Sequence, residues 1–462
     1  FFKVIFIFLF ILMICYSRFV DNKLRNNKKP YLVHQNLTIS WNKFRKIRMS
    51  DSNDHKSSLK SNDSIEPPPV SERCLRTQMP VITLTRRLLA LAKRPSLSLG
   101  QGVVYWGPPA AALQRISDLA GQEALLQANI GSMDPNASGN FPATQLNEYV
   151  PNEGIPALRE RLRQKIREKN GLTDYDLFVT PGANHGFTAA CLAVLDEGDT
   201  AVLFEPYYFD HEMSLSMLGG GVRCEVGKSD PKTLKPDLAW LEDRLMNQPH
   251  PPKMVVLCTP NNPTGVVLDS TDLNRAAAIC AAGGVWLVVD ATYEDFMLSD
   301  DAVRQVRENV ANGEPPYKLP RGPNVLHLFS MSKAYGMMGW RVGYICYPLP
   351  SLGTFPFRSL SPSGGKGGFN HNDPADTTPT KTMTNGMVGS VKRGRVNPLD
   401  PIGAQLLKIM DITCICAPAV GQQLALACLD PDLDAPQDGL SYVERRIASL
   451  ASNRNRLRRA LA

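Results

Sequence analysis

The sequence predicts an α/β fold, a mostly parallel β-sheet sandwiched by helices, from three observations. Short apolar runs recur at residues 177–180, 201–204, 254–258, 285–289, 324–329 and 341–347. They are too short for helices and apolar throughout, as strands covered on both faces are. Stretches of helical spacing at residues 184–195, 209–218 and 273–282 separate several of them, and strands alternating with helices favour parallel pairing. The chain has 462 residues, 43% hydrophobic and 21% charged, which is an ordinary globular composition and enough for two domains with a large core.

Charge and cysteine content narrow the function classes. The formal net charge is +7, but the excess comes from residues 18–48, 366–395 and 445–459. No basic stripe runs through the region between, so no nucleic-acid partner is expected. The ten cysteines are scattered, and only Cys414 and Cys416 lie close. Without zinc or thioredoxin spacing, no metal is expected, and reduced thiols in a reducing, cytoplasmic compartment are the expectation.

In chain order, residues 1–20 are nearly all apolar, with Lys3 near their start and Arg18, Lys23, Arg25, Lys28 and Lys29 at or after their end. The continuous apolar part, residues 4–16, falls short of the roughly 20 residues that span a bilayer and is closer to a signal-peptide core. It is read as a leader or anchor, or as a product of the gene model, and membrane contact is expected only if it is real. The chain lacks an initiating Met, and a fragment of a longer product is expected. Residues 21–73, rich in Ser, Asn, Asp and Lys and closing on Pro67-Pro68-Pro69, predict a disordered linker. A globular pattern spans residues 74–347, with helical spacing through Leu88, Leu89, Leu91 and Ala92 and again over residues 155–166. Residues 348–401 are a Gly/Ser/Thr/Pro-rich, basic stretch. Gly364-Gly365-Lys366-Gly367 within it has the lysine of a phosphate loop but not its glycine spacing or its Ser/Thr, so a surface loop or translated intron is expected. Residues 402–440 complete the main domain. Residues 441–462 predict a long helix with Ile447, Leu450, Leu457 and Leu461 on one stripe.

In sheets of this kind ligands bind at the carboxyl ends of the strands, and the residues there carry coherent chemistry. Pro181-Gly182-Ala183-Asn184 opens a helix whose free N–H groups could receive a phosphate. Glu205-Pro206-Tyr207-Tyr208 places an aromatic ring at the next strand end, and Thr259-Pro260-Asn261-Asn262-Pro263-Thr264-Gly265 an amide. Asp290 with Tyr293 supplies a carboxylate and a phenol. Last comes Lys333, after Ser330 and Ser332 and ahead of Arg341. An amine among apolar and cationic neighbours loses proton affinity, so it can attack carbonyls and carry a Schiff base. Ser330 and Arg341 could hold a phosphate, the arginine by its planar fork of donors. Each has a plainer reading alone: a helix cap at residues 182–184 and at Asp290, a turn at residues 262–265, a core ring at Tyr208, a solvated lysine at Lys333.

Taken jointly and in this order, these residues resemble the fold-type I pyridoxal-phosphate-dependent aminotransferases of class I/II over about residues 74–462, apart from the insertion. Within the class, Gly100-Gln101-Gly102-Val103-Val104-Tyr105-Trp106, Glu205-Pro206-Tyr207-Tyr208-Phe209 and Tyr335-Gly336-Met337-Met338-Gly339-Trp340-Arg341 are most similar to the plant aromatic and methionine aminotransferase subgroup. The resemblance implies pyridoxal 5'-phosphate as cofactor, amino acid and 2-oxo acid substrates, and a large domain followed by a small one. It implies a Schiff base on Lys333, which also moves the proton at the substrate α-carbon. Asp290 would pair with the pyridine nitrogen, Tyr293 and Asn262 with the ring hydroxylate, and Tyr208 would stack on the ring. Gly182, Ala183, Asn184, Ser330 and Arg341 would hold the phosphate. Gly102, with Asn262, would meet the substrate. Tyr149, in Tyr149-Val150-Pro151-Asn152-Glu153-Gly154, matches the tyrosine that reaches a neighbouring subunit's phosphate, which implies a homodimer.

Two departures stand beside the likeness. The insertion at 348–401 has no counterpart in the family, whose pattern resumes over residues 406–429. The small domain is expected to be largely missing, and with it the arginine that clamps the substrate carboxylate; Arg454, Arg456, Arg458 and Arg459 do not match it. A lyase on the same fold, such as an aminocyclopropane-carboxylate synthase, and a truncated, non-catalytic cofactor-binding or interaction protein are the alternative readings.

Overall fold

The computed structural model describes residues 70–92, 102–130, 146–352, 401–433 and 440–461. The leader at residues 1–20, the linker up to residue 69 and the insertion over residues 353–400 lie outside them. Residues 70–452 form one compact unit; the other comprises residues 1–69 and 453–462, of which only the end of a helix, Tyr442–Leu461, is described. Among the described residues no helix is long and apolar enough to cross a membrane.

Seven strands make a single sheet: β1 (Tyr175–Thr180), β2 (Thr200–Phe204), β3 (Arg223–Gly227), β4 (Met254–Cys258), β5 (Trp286–Asp290), β6 (Val325–Ser330) and β7 (Gly343–Pro348), in the order β1-β7-β6-β5-β4-β2-β3. Strands β6, β5, β4, β2 and β3 run parallel, and β7 runs antiparallel to both its neighbours, β1 and β6. The expected mostly parallel sheet is therefore what forms. Period-two alternation splits its side chains between two cores. Val255, Leu257, Leu287 and Val289 face one, and Val256, Val288, Leu326 and Leu328 the other.

Helices cover both faces. On the first lies α1 of this covering layer, Pro156–Asn170, started by Pro156 at its first turn and stopped by Gly171 at φ 72°, where a side chain would be strained. Leu158, Leu162 and Ile166, one turn apart, are each 0% exposed; burying each stabilises the unit by roughly 2 kcal/mol on an area basis. On the second face lie α2 (Ala183–Val194) and α3 (Phe209–Leu218), the first packed by Phe187, Ala190, Cys191 and Val194.

The structure corrects several boundaries. The first helix of the unit, Glu72–Arg76, starts inside the expected linker, and helix Pro401–Thr413 starts on the last residue of the expected insertion. The helix expected to run to Ala92 ends at Ala90. The last strand begins at Gly343 rather than at residue 341, because Arg341 turns the chain at φ 56°. Strand β3 and the helices Ala110–Ile130, Leu238–Met246 and Asp300–Ala311 are additional.

Candidate functional site

Register brings the strand ends together. Gly343 pairs with Thr180 on one side and Ser330 on the other, and Asp290 pairs with Cys258 and Leu328. Backbone closes so tightly on Gly343 that a Cβ there would lie 2.6 Å from the Ala183 nitrogen and 2.9 Å from the Phe329 carbonyl oxygen. Beyond this seam lies an open cleft lined by Ala183, Asn184, Tyr208, Asn262, Asp290, Tyr293, Ser330, Lys333 and Arg341. Every one of these was expected from the sequence.

One end of the cleft is built for an anion. Gly182, at φ 87°, turns the chain into α2, leaving the first N–H groups of that helix free to point outward. A Cβ on Gly182 would sit 2.2 Å from Arg341 Nη2, so only glycine lets the guanidinium lie against this turn. Arg341 is held there by donating to the Met338 carbonyl at 3.0 Å and the Pro181 carbonyl at 3.1 Å. Ser330 Oγ faces the same end and accepts from the Ser332 N–H.

The middle of the cleft holds a carboxylate and a ring. Asp290, 5% exposed at the end of β5, accepts from His211 Nε2 on Oδ2 at 3.0 Å and from the Thr292 N–H on Oδ1 at 3.0 Å. Burial pushes its proton affinity up, but His211 and the Thr292 bonds outweigh this and hold it below the usual carboxylate range. An ionised carboxylate only accepts, so His211 Nε2 must carry the proton. Tyr208 donates to Asp210 Oδ2 at 2.6 Å, and Asn184 Nδ2 donates to the same oxygen at 2.7 Å, which fixes the ring. The Asn262 turn is set from within, since Asn261 Oδ1 accepts from the N–H and the hydroxyl of Thr264 at 3.0 and 2.8 Å.

At the far end Lys333 Nζ donates to the Gly102 carbonyl at 2.6 Å and stands 5.8 Å from the centre of the Tyr293 ring. Burial, and then the positive charge of Arg341, lower its proton affinity, the direction a nucleophilic amine needs. Burial, with Cys258 and Asp290 nearby, pushes Tyr293 up to about 12. A Cβ on Gly102 would come within 3.1 Å of the Tyr293 hydroxyl. Tyr149 does not line the cleft and is 81% exposed.

Several contributors were given no role from the sequence: Thr292, Ser332, Cys258 and Met338 lining the cleft, His211 behind Asp290, and Trp106. The Trp106 indole donates to the Ala334 carbonyl at 2.9 Å, seating the Gly102 segment over the lysine loop. The only local signal for His211 is its place one helical turn after Tyr208. No group of His, Cys, Asp and Glu that could hold a metal occurs among the described residues.

A sheet of this order, with a lysine, an ionised aspartate and an anion cradle at its strand ends, defines a pyridoxal-phosphate-dependent transferase. The model for aminotransferases of class I and II matches residues 142–462. An aromatic aminotransferase of Arabidopsis thaliana is 33% identical over 392 residues, covering 85% of this chain and 76% of the relative. The methionine aminotransferase of Escherichia coli is 28% identical over 207 residues, 44% of this chain and 50% of that protein, and several bacterial aspartate/prephenate aminotransferases are likewise matched over about half their length. In fold, the chain is similar to the N-succinyldiaminopimelate aminotransferase of Mycobacterium tuberculosis, with a TM-score of 0.58 at 20% identity over 85% of this chain and 79% of that one. The chain belongs to the class I and II aminotransferases, a pyridoxal-phosphate-dependent family, and falls with the plant aromatic subgroup. The cleft fits that cofactor: glycine at 182 lets the Arg341 guanidinium lie against the start of α2, in one cleft with Ser330, and this donor set matches a phosphate.

Proposed function

We propose that this chain transfers the amino group of an amino acid, methionine or an aromatic one favoured, to a 2-oxo acid. The observation that carries the reading is Lys333: a half-buried amine of lowered proton affinity, in one cleft with an ionised aspartate and an anion cradle. When bound, the cofactor supplies an electron sink for the bonds at the substrate α-carbon.

The chain's own residues would do the rest. The α2 N-terminus at Ala183 and Asn184, Gly182, Ser330 and Arg341 would hold the phosphate. Asp290 would accept from the pyridine nitrogen and keep it protonated, with His211 stabilising its charge. Tyr293 and Asn262 would bond the ring oxygen, and Tyr208 would pack on the ring face. Lys333 would hold the cofactor covalently and, once released by substrate, take the α-proton on Nζ and return it to the cofactor carbon. Gly102, whose carbonyl is 2.6 Å from Nζ, would let the backbone approach the substrate. The aromatic and methionine preference rests on the names of the Arabidopsis and Escherichia relatives.

Purified chain mixed with pyridoxal phosphate should gain a visible absorbance band that Lys333→Ala lacks. Methionine, phenylalanine or tryptophan should convert it to the pyridoxamine spectrum with one 2-oxo acid released per site. A band that forms but never responds would contradict amino transfer, and ammonia in place of pyridoxamine would indicate a lyase.

We also propose a homodimer in which Tyr149 reaches the partner's phosphate cradle, supported by the 81% exposure of that ring in the single chain. Sedimentation should give twice the chain mass, and Tyr149→Phe should weaken cofactor binding; a monomer with full affinity would contradict it.

A further inference from the structure

Beneath the cleft, on the sheet face covered by α1, lies a buried cation that the reaction itself does not use. Lys165 sits among the inward residues Leu158, Leu162 and Ile166, with its side chain only 14% exposed. Its ammonium pairs with Glu294, the residue after Tyr293, whose side chain is 5% exposed. It also donates to the Tyr344 hydroxyl at 3.1 Å and stands 5.4 Å from the centre of the Phe329 ring. Phe329 and Tyr344 stack on each other at 4.9 Å. Phe329 precedes Ser330, and Tyr344 follows Arg341 by three residues. The other Glu294 oxygen accepts from Asn170 Nδ2 at 2.8 Å, and Asp295 pairs with Lys169.

A charge in this place is poorly explained by stability. Burying an ion pair costs desolvation that its own attraction barely offsets, and apolar replacements of similar volume are commonly neutral or stabilising. The neighbouring α1 positions are leucine and isoleucine, so a methionine at 165 would pack. What the ammonium does that a methyl group cannot is bind three separate chain segments at once, in fixed directions.

We infer that Lys165 is a positioning residue for the cofactor site: its ammonium ties together the segments carrying Tyr293, Ser330 and Arg341, and so sets the Tyr293 ring beside Lys333. The inference rests on the proposed function. Charged and titratable groups face Lys165 from every packed element: Glu294 and Asp295 beyond β5, Tyr335 in the lysine loop, and Tyr344 and Cys346 on β7. Burial lowers its proton affinity, but Glu294, Tyr344, Asp295 and Tyr335 together outweigh this and hold the ammonium protonated well above the usual range, so the tie persists at every working pH.

The test compares wild type with Lys165→Met/Glu294→Gln, Tyr344→Phe and, as a control on the same helix face, Leu162→Ala. Pyridoxal phosphate affinity, the pH midpoint of the visible band and Tm are read for each. The double variant should keep a near-wild-type Tm, bind pyridoxal phosphate about tenfold more weakly, and move the band midpoint by about half a pH unit or more. Tyr344→Phe should shift the midpoint the same way by less. Leu162→Ala should lower Tm and leave the midpoint in place. A double variant that does not fold, or one whose midpoint and affinity match wild type, overturns the inference. A wild type without a visible band overturns the proposed function and the inference together, whereas a normal wild-type band with unmoved variants overturns the inference alone.

Discussion

Asp290 and Lys333 show what one residue's surroundings accomplish. Both are shifted toward the forms the chemistry needs, the carboxylate ionised and the amine more readily deprotonated, and in each case burial is only the first contribution. Burial raises the proton affinity of Asp290; His211 and the Thr292 bonds together reverse the outcome. A different buried histidine has no such partner. His327, on β6, is 0% exposed, and its ring nitrogens make no hydrogen bond among the described residues, the nearest help being the Pro320 carbonyl. Burial lowers it from 6.5 to about 3. The unfolded chain therefore binds the extra proton first, and stability present above pH 6.5 is lost as pH falls toward about 3. At pH 5 this histidine should cost about 2 kcal/mol relative to pH 8. Urea unfolding of His327→Leu at both pH values should show a correspondingly smaller loss than wild type; equal losses would contradict it. These two histidines also mark the limit of legibility. Asp290, Tyr293 and Lys333 were readable because each lies within four residues after an apolar run. The tie of His211 to Asp290 crosses 79 residues, and only pairing of the sheet reveals it.

Among elements, the seam between β1, β7 and β6 positions the phosphate cradle, because Thr180, Gly343 and Ser330 share one register level. A Gly343→Ala side chain would meet backbone on two sides, and overpacking of this kind costs roughly 1–3 kcal/mol. The variant should lower Tm and weaken pyridoxal phosphate binding, measured by melting and by titration; unchanged values for both would show that the seam yields. The antiparallel direction of β7 was not readable, since Gly343–Pro348 is fully buried like its parallel neighbours. Strand β3 escaped for the opposite reason. At the sheet edge, Arg223–Gly227 is half-exposed and mixed in polarity, so it carries no continuous apolar run. Helix Asp300–Ala311 has only Ala302 fully buried, which leaves its inward stripe too faint to read.

For the whole molecule, the strand-end residues predicted together are found together, because a doubly covered sheet gathers its strand ends along one edge. The fold class follows from that one regularity and the cofactor class from the family resemblance, and the family match over residues 142–462 agrees. Substrate choice does not follow from it, since side-chain selectivity is set by whatever closes over the cleft rather than by the sheet. The central claim concerns a single bond, between Lys333 and the cofactor. The most direct measurement is borohydride reduction of the chain loaded with pyridoxal phosphate, followed by peptide mass spectrometry. The account predicts one pyridoxyl group, on Lys333, prevented when phosphate-site occupancy is lost in Arg341→Ala. A group on another lysine, or none in a chain that otherwise binds the cofactor, would contradict it.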